Sequence, residues 1–394
     1  CPNADYIIGN PPFIGHQWRS KEQQHDVEIV FPKDAKFGKV DFVGAWFVKA
    51  TRYMQTHPAT QTALVSTNSI TQGEQVGVLW SWMLAQGVKI NFAHRTFSWS
   101  NEARGKAAVH VVVIGFALHD APEKTIYEYE DIKGDPHAIS AQRINPYLID
   151  APDIIFPSRT KTPSNLPFIT KGSQPTDGGY LLLSQKDKEE LIAKEPTVKP
   201  WIKKYVGADE LLYNTPRYCL WLKNISPTEL RAMPHVLQRV QAVAELRKKS
   251  PTESVQAYAS TPTLFTQDRQ PSLTYIAIPA HTSENRLFIP MAFLEPSIIA
   301  SNALRICIDA TVFHFGVLMS SMHNAWIHYT CGRLESRFRY EPSVYNNFPW
   351  PTPTDAQRNA IETAAQGVLD ARARHPNSSL ADLYDPLTMP PELV

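Results

Sequence analysis

The sequence predicts an α/β protein: a mainly parallel sheet covered by helices on both faces, then a mixed α+β region, then a C-terminal helix. Short apolar, β-branched runs alternate with stretches of helical periodicity over the first 130 or so residues, the pattern of strands joined by crossover helices. After about Asn145 the composition shifts: "NPYLIDAPDIIFPSRTKTPSNLP" is rich in proline and turn residues and reads as a domain entrance. A capping box, Thr354 with Gln357 and Pro353 just before it, opens the final helix.

Residues 5–9 read as a short strand of buried character, and 14–38 as polar and irregular, with His16, Gln17, Arg19, Lys21 and His25 clustered. From Val40 to about Thr56, Phe42, Val43, Trp46, Phe47, Ala50, Tyr53 and Met54 recur at helical spacing. "TALVST" (62–67) is a buried strand by its length and β-branching, and a helix from Glu74 to Ala85 ends at Gly87. "KINFAHR" (89–95) and "HVVVIGFAL" (110–118) are strands, and the last strands of this region, up to residue 130, have only a loop between them, so they should pair antiparallel. "KTIYEYE" (124–130) alternates like an edge strand. Residues 165–350 mix short strands and prolines with one basic helix at 227–250. The last helix, to about Arg374, puts Ile361, Ala365, Val368 and Leu369 on one face.

The bulk numbers narrow the function. At 394 residues there is room for two or three domains. The formal charge of +1 means that any nucleic-acid surface is local, not a field over the whole protein. The four cysteines are far apart with no C-x-x-C pair, which argues for reduced thiols and against a disulfide frame or zinc site. No signal peptide is visible, and the longest clean apolar run, Val111 to Leu118, is too short to span a bilayer, so a cytoplasmic location is expected. A chain that opens four residues before a strand is expected to be the C-terminal piece of something larger.

The chemistry concentrates in "DYIIGNPPF", Asp5 to Phe13. A residue before proline is held extended, so Asn10 projects from the strand end. Pro11 and Pro12 lack backbone N–H groups, which leaves the Pro11 carbonyl free to face outward. An amide oxygen and a carbonyl oxygen side by side suit a planar –NH2 group, whose two hydrogens need two acceptors. An exocyclic amine is a poor nucleophile because its lone pair is delocalised into the ring. Two acceptors pulling on its hydrogens favour a more pyramidal nitrogen that can attack an electrophilic methyl. Phe13 offers a flat surface for the ring. The plain alternative is that Asn-Pro-Pro merely ends a strand in a turn.

"DYIIGNPPF" resembles motif IV of the adenine-N6 DNA methyltransferases that use S-adenosylmethionine. "FSWSNEARGKAAVHVVVIGF" (97–116) resembles the region where that family sets a second aromatic against the flipped base, which implies Phe97 or Trp99. "HFGVLMSSMHNAWIHYTCGRLESRFRYEPSVYNNFPWP" (314–351) is similar to the target-recognition region of MmeI-like (type IIG/IIL) restriction–modification enzymes, and "SLADLYDPLTMPPEL" to their C-terminal tail. The resemblance implies the C-terminal half of a Rossmann-like class I methyltransferase sheet at 1–145, a mixed α+β target-recognition domain at 146–350 and a helical segment at 351–394. It also implies double-stranded DNA as partner, S-adenosylmethionine as cofactor, and base flipping. The family's glycine-rich cofactor loop precedes motif IV, and no G-x-G occurs in these 394 residues, so no cofactor-binding residue is assigned; the nuclease region of the family is likewise not in this stretch.

Two other readings stay open: a protein-glutamine methyltransferase, which also presents a planar amide to such a loop, and a DNA-binding specificity module without catalysis. In "GRLESRFRY", Glu335 and Arg337 are two apart and face one side of an extended segment, an acceptor and a forked donor suited to one G·C pair; the alternative is a surface ion pair. Arg19, Lys21, Arg239, Arg247, Lys248, Arg333 and Arg339 are candidates for the DNA backbone, although a basic helix face is more often simply solvated. His281, His314, His323 and His328 lack an acidic or cysteine partner at ligand spacing and are read as packing or phosphate contacts, not a metal site.

Overall fold

The computed structural model describes residues 3–32, 37–99, 109–157, 159, 161–334 and 337–393. The chain divides into two compact units, one of residues 1–160 with 326–339 and one of residues 161–325 with 340–394.

In the first unit, β1 (Tyr6–Gly9), β2 (Gln61–Thr67), β3 (Lys89–Trp99), β4 (Val109–Ala117), β5 (Lys124–Glu128) and β6 (His137–Ala141) form one sheet in the order β1-β2-β4-β3-β5-β6. β1–β2 and β3–β5 pair parallel; β2–β4, β3–β4 and β5–β6 pair antiparallel. The sheet is therefore mixed, not mainly parallel. Four strands share one direction, but β4 follows β3 through 100–108, too short for the dozen or so residues of a parallel crossover. β4 then inserts between β2 and β3 and turns two neighbour pairings antiparallel. β5 is not an edge, because β6 covers it, and it pairs parallel with β3 instead of antiparallel with β4, since β3 lies between them. β1 stands at one end of this order, and among the described residues its Tyr6 and Ile8 are 66% and 81% exposed.

Helices α1 (Lys21–Val30), α2 (Gly44–Thr56) and α3 (Gly73–Ala85) complete the unit. α1 lies in the stretch that reads as irregular; Ser20 accepts from the Gln23 N–H while Gln23 reaches back to the Ser20 N–H. Phe47 of α2 stacks on Phe116 of β4 at 5.4 Å and meets Trp80 of α3 edge-on at 6.1 Å. Both crossover helices thus share one face of the sheet, where cover on both faces is the expectation. Consecutive right-handed crossovers that advance in the same direction place their helices on the same side. Trp80 also donates to the Ile70 carbonyl at 2.9 Å, fixing the start of α3 against the end of β2. Residues 332–334 and 337–339 pair antiparallel with Arg333 opposite Phe338.

The second unit holds two four-stranded sheets. One runs Ile299–Ala300, Ile202–Val206, Arg217–Leu220, Leu182–Ser184, and the other Ala292–Leu294, Tyr275–Pro279, Leu304–Ile308, Phe168–Lys171. The basic helix is two helices, Pro227–Arg231 and Pro234–Lys248, because a proline breaks a helix from inside but fits its first turn. The C-terminal helix is Asp355–Ala373 with the Thr354–Gln357 capping box formed. It crosses Val312–Met319 so closely that a Cβ on Gly316 would lie 2.9 Å from Ala365 Cβ, which is why glycine stands there. Among the described residues, no helix is long and apolar enough to cross a membrane.

Candidate active site

β1 and β2 run parallel, so their carboxyl ends, Gly9 and Thr67, open on one edge of the sheet. This is the edge where ligands meet open α/β sheets. Asn10 and Pro12 are exposed there, Pro11 is buried, and Phe13 is half-buried against the core. Among the described residues, no donor reaches the Asn10 amide oxygen or the Pro11 carbonyl.

The loop is stiffened on both sides. Before it, the Ala4 N–H donates to Tyr53 Oη at 2.9 Å and the Ala4 carbonyl accepts from Thr60 Oγ1 at 2.7 Å. After it, the Ile14 carbonyl accepts from the Phe42 N–H at 2.9 Å. Asp41, only 6% exposed, then ties the segment to the sheet: Oδ1 accepts the His16 N–H at 3.3 Å and Oδ2 accepts Thr67 Oγ1 at 3.1 Å. A buried carboxylate without such donors would be costly. Here they come from the two segments it must hold together. Asp41 carries no signal in the sequence, because a single Asp between apolar neighbours has no motif; only the fold brings Thr67 to it.

At the end of β3 a bulge between His94 and Phe97 resets the alternation. His94 and Phe97 consequently face the same side, with ring centroids 6.1 Å apart. Tyr129 joins them: its hydroxyl lies 2.8 Å from His94 Nδ1 and its ring stacks on Phe97 at 4.9 Å. Burial lowers the His94 pKa and raises that of Tyr129. Of the two base-stacking candidates, Phe97 has one face covered by Tyr129, while Trp99 stands 36% exposed beyond it.

The basic candidates separate sharply. Arg247 is fully buried in the second unit, and its guanidinium donates to five carbonyls, those of Pro175, Thr176, Tyr258, Thr261 and Leu264. It is a structural clasp and not a contact to the DNA backbone, as its place on a basic helix suggests; every donor it has is already engaged. Arg239 reaches the Tyr180 carbonyl at 3.0 Å, and Lys248 pairs with Glu245 at 2.7 Å on the surface of the same unit. In the first unit, Arg19 donates to Gly38 O at 2.7 Å and His16 O at 3.3 Å, and Lys21 is exposed at the start of α1. Arg333 lies over the Phe338 ring at 4.5 Å, and Arg337 and Arg339 are exposed on the opposite face of the same hairpin. Glu335 lies outside the described residues.

Comparison with known proteins places this arrangement. The profile described as "MmeI, DNA-methyltransferase domain" matches residues 2–128, "MmeI, target recognition domain" residues 150–352, and "MmeI, C-terminal domain" residues 353–394. The chain belongs to the MmeI family and carries these three domains in that order. It is 36% identical over 389 residues to DNA methyltransferase A of Bacillus subtilis (strain 168), covering 98% of this chain and 44% of that protein. The solved structure of the type IIL restriction–modification enzyme MmeI in complex with DNA superposes with a TM-score of 0.95 at 49% identity, covering 98% of this chain and 52% of that one. The chain therefore spans about half the length of the relatives it matches.

Proposed function

We propose that the chain is the target-base and recognition part of an S-adenosylmethionine-dependent methyltransferase acting on adenine N6 in double-stranded DNA. The observation that carries the reading is the pair of acceptors at Asn10 and Pro11, adjacent, unpartnered among the described residues and held on a braced loop at the carboxyl edge of the sheet. An adenine swung out of the duplex presents an amine with two hydrogens. One goes to the Asn10 amide oxygen and one to the Pro11 carbonyl. Both bonds strengthen as the nitrogen pyramidalises and gains positive charge, so they favour the transition state over the ground state. Phe13 and Trp99 are proposed to hold the ring by stacking.

We infer that the described residues do not by themselves hold the methyl donor. A tight glycine turn at a strand–helix junction is the physical requirement. Gly73, the positive-φ glycine at the start of α3, instead admits the backbone of Gly332: a Cβ on Gly73 would lie 3.3 Å from Gly332 Cα. Glu335 and Arg337 are proposed to read one G·C pair, with Arg19, Lys21, Arg239, Lys248, Arg333 and Arg339 near phosphates. A glutamine amide would fit the same two acceptors, but a target recognition domain over 150–352 favours DNA. Methyl transfer by the full-length protein to duplex DNA, with a glutamine peptide as control, tests the reading: label in N6-methyladenine supports it, and label only in the peptide overturns it.

A further inference from the structure

Five residues beyond Phe13, Trp18 is 83% exposed. The turn that carries it is not loose. The Trp18 N–H donates to the Gly15 carbonyl at 2.8 Å, closing the short helix His16–Trp18. The neighbouring Arg19 guanidinium clamps His16 O and Gly38 O, and the buried Asp41 takes the His16 N–H. The Ser20 capping box starts α1 immediately afterwards. Because Asp41 also holds Thr67 at the end of β2, the indole is mounted on the same edge of the sheet as Asn10.

Shape separates the roles of the aromatics. Phe13 is half-buried, as the wall of a pocket is. A ring 83% exposed on a fixed turn protrudes, and a protruding flat ring suits insertion into a stack. We propose that Trp18 is a wedge: it enters the DNA base stack beside the target adenine and offsets the stacking lost when that base swings out. This rests on the reading of the chain as acting on adenine in duplex DNA. It makes Trp18 a positioning residue that favours the extrahelical base, without touching the reacting nitrogen.

The test uses the full-length protein with Trp18→Ala and Trp18→Phe, and duplexes carrying the target adenine either paired or opposite a mismatch. A base–aromatic stack is worth about 1–3 kcal/mol, so Trp18→Ala is expected to lose roughly 5- to 150-fold in methylation of the paired duplex. A mismatched base costs less to extrude, so the loss should shrink severalfold on the mismatched duplex. 2-Aminopurine at the target position should brighten with the native protein and with Trp18→Phe, but much less with Trp18→Ala. Normal flipping and methylation by Trp18→Ala would overturn the wedge. So would an equal loss on both duplexes together with a lowered melting temperature, which would mean that Trp18 packs against protein. Failure of the native protein to methylate adenine at all would instead overturn the underlying reading of the site.

Discussion

Removing the Arg247 side chain tests whether this arginine holds the fold or contacts DNA. All five of its N–H donors meet carbonyls, at 2.7 to 3.2 Å, drawn from Pro175, Thr176, Tyr258, Thr261 and Leu264. Arg247→Ala leaves those acceptors facing a cavity that holds no donors. Removing one partner from a buried charged network costs about 3–5 kcal/mol. For a unit of this size each kcal/mol lowers Tm by roughly 2–4 °C, so a fall on the order of 10 °C is expected. Arg247→Lys keeps the charge but brings three donors in place of five, and should fall between the two. The assay is thermal and urea unfolding of the full-length protein, paired with the salt dependence of DNA binding. The slope of log K against log salt should not change, since no phosphate contact is lost. A native Tm together with a slope reduced by about one contact would refute the clasp and return Arg247 to the DNA.

Particular groups carry three more predictions. His323 is fully buried between Leu318 O and Tyr340 Oη, and burial pushes its pKa down from 6.5 to about 4. Its unfolded form takes up the proton first, so stability is complete above pH 6.5 and falls as pH drops toward 4, by up to about 3 kcal/mol; unfolding curves across that window should show a loss that His323→Gln flattens. Reversing the recognition pair, Glu335→Lys with Arg337→Asp, should change the preferred base at one position of the site by about 1–3 kcal/mol of discrimination, read by mapping methylated positions; an unchanged site with activity retained would exclude it. Residues 1–394 alone should show no micromolar binding of S-adenosylmethionine by calorimetry, because no G-x-G turn is present.

Local signals carry most of the first unit. β2, α2, α3 and β4 follow from periodicity, and Gly87 at φ 86° ends α3 as its position suggests. α1 is also legible, since Ser20 and Gln23 are a capping box, but the polar composition of 14–38 masks it. What the chain does not announce is non-local: that β4 slips between β2 and β3, that β6 covers β5, or that residues 326–339 fold with the first unit. Each depends on contacts far apart in sequence, which periodicity does not encode. The same holds for the site. Asn10 to Phe13 stand out by local chemistry alone, whereas Asp41 and Tyr129 acquire roles only once Thr67 and Phe97 are beside them. Arg247 shows the opposite error, because a basic helix face looks solvated until the loops at 175–176 and 258–264 close over it.

In the proposed function the Asn10 and Pro11 oxygens bind and activate the target amine. The most direct measurement is single-turnover methylation of duplex DNA by full-length Asn10→Ala, alongside its DNA affinity. Asn10 is exposed and bonds to no described residue, so its loss should leave the fold and DNA binding within about threefold of native. Methyl transfer should fall by roughly 100-fold or more, the scale for deleting one preorganised hydrogen-bond partner of a transition state. Near-native methylation by Asn10→Ala would contradict the account.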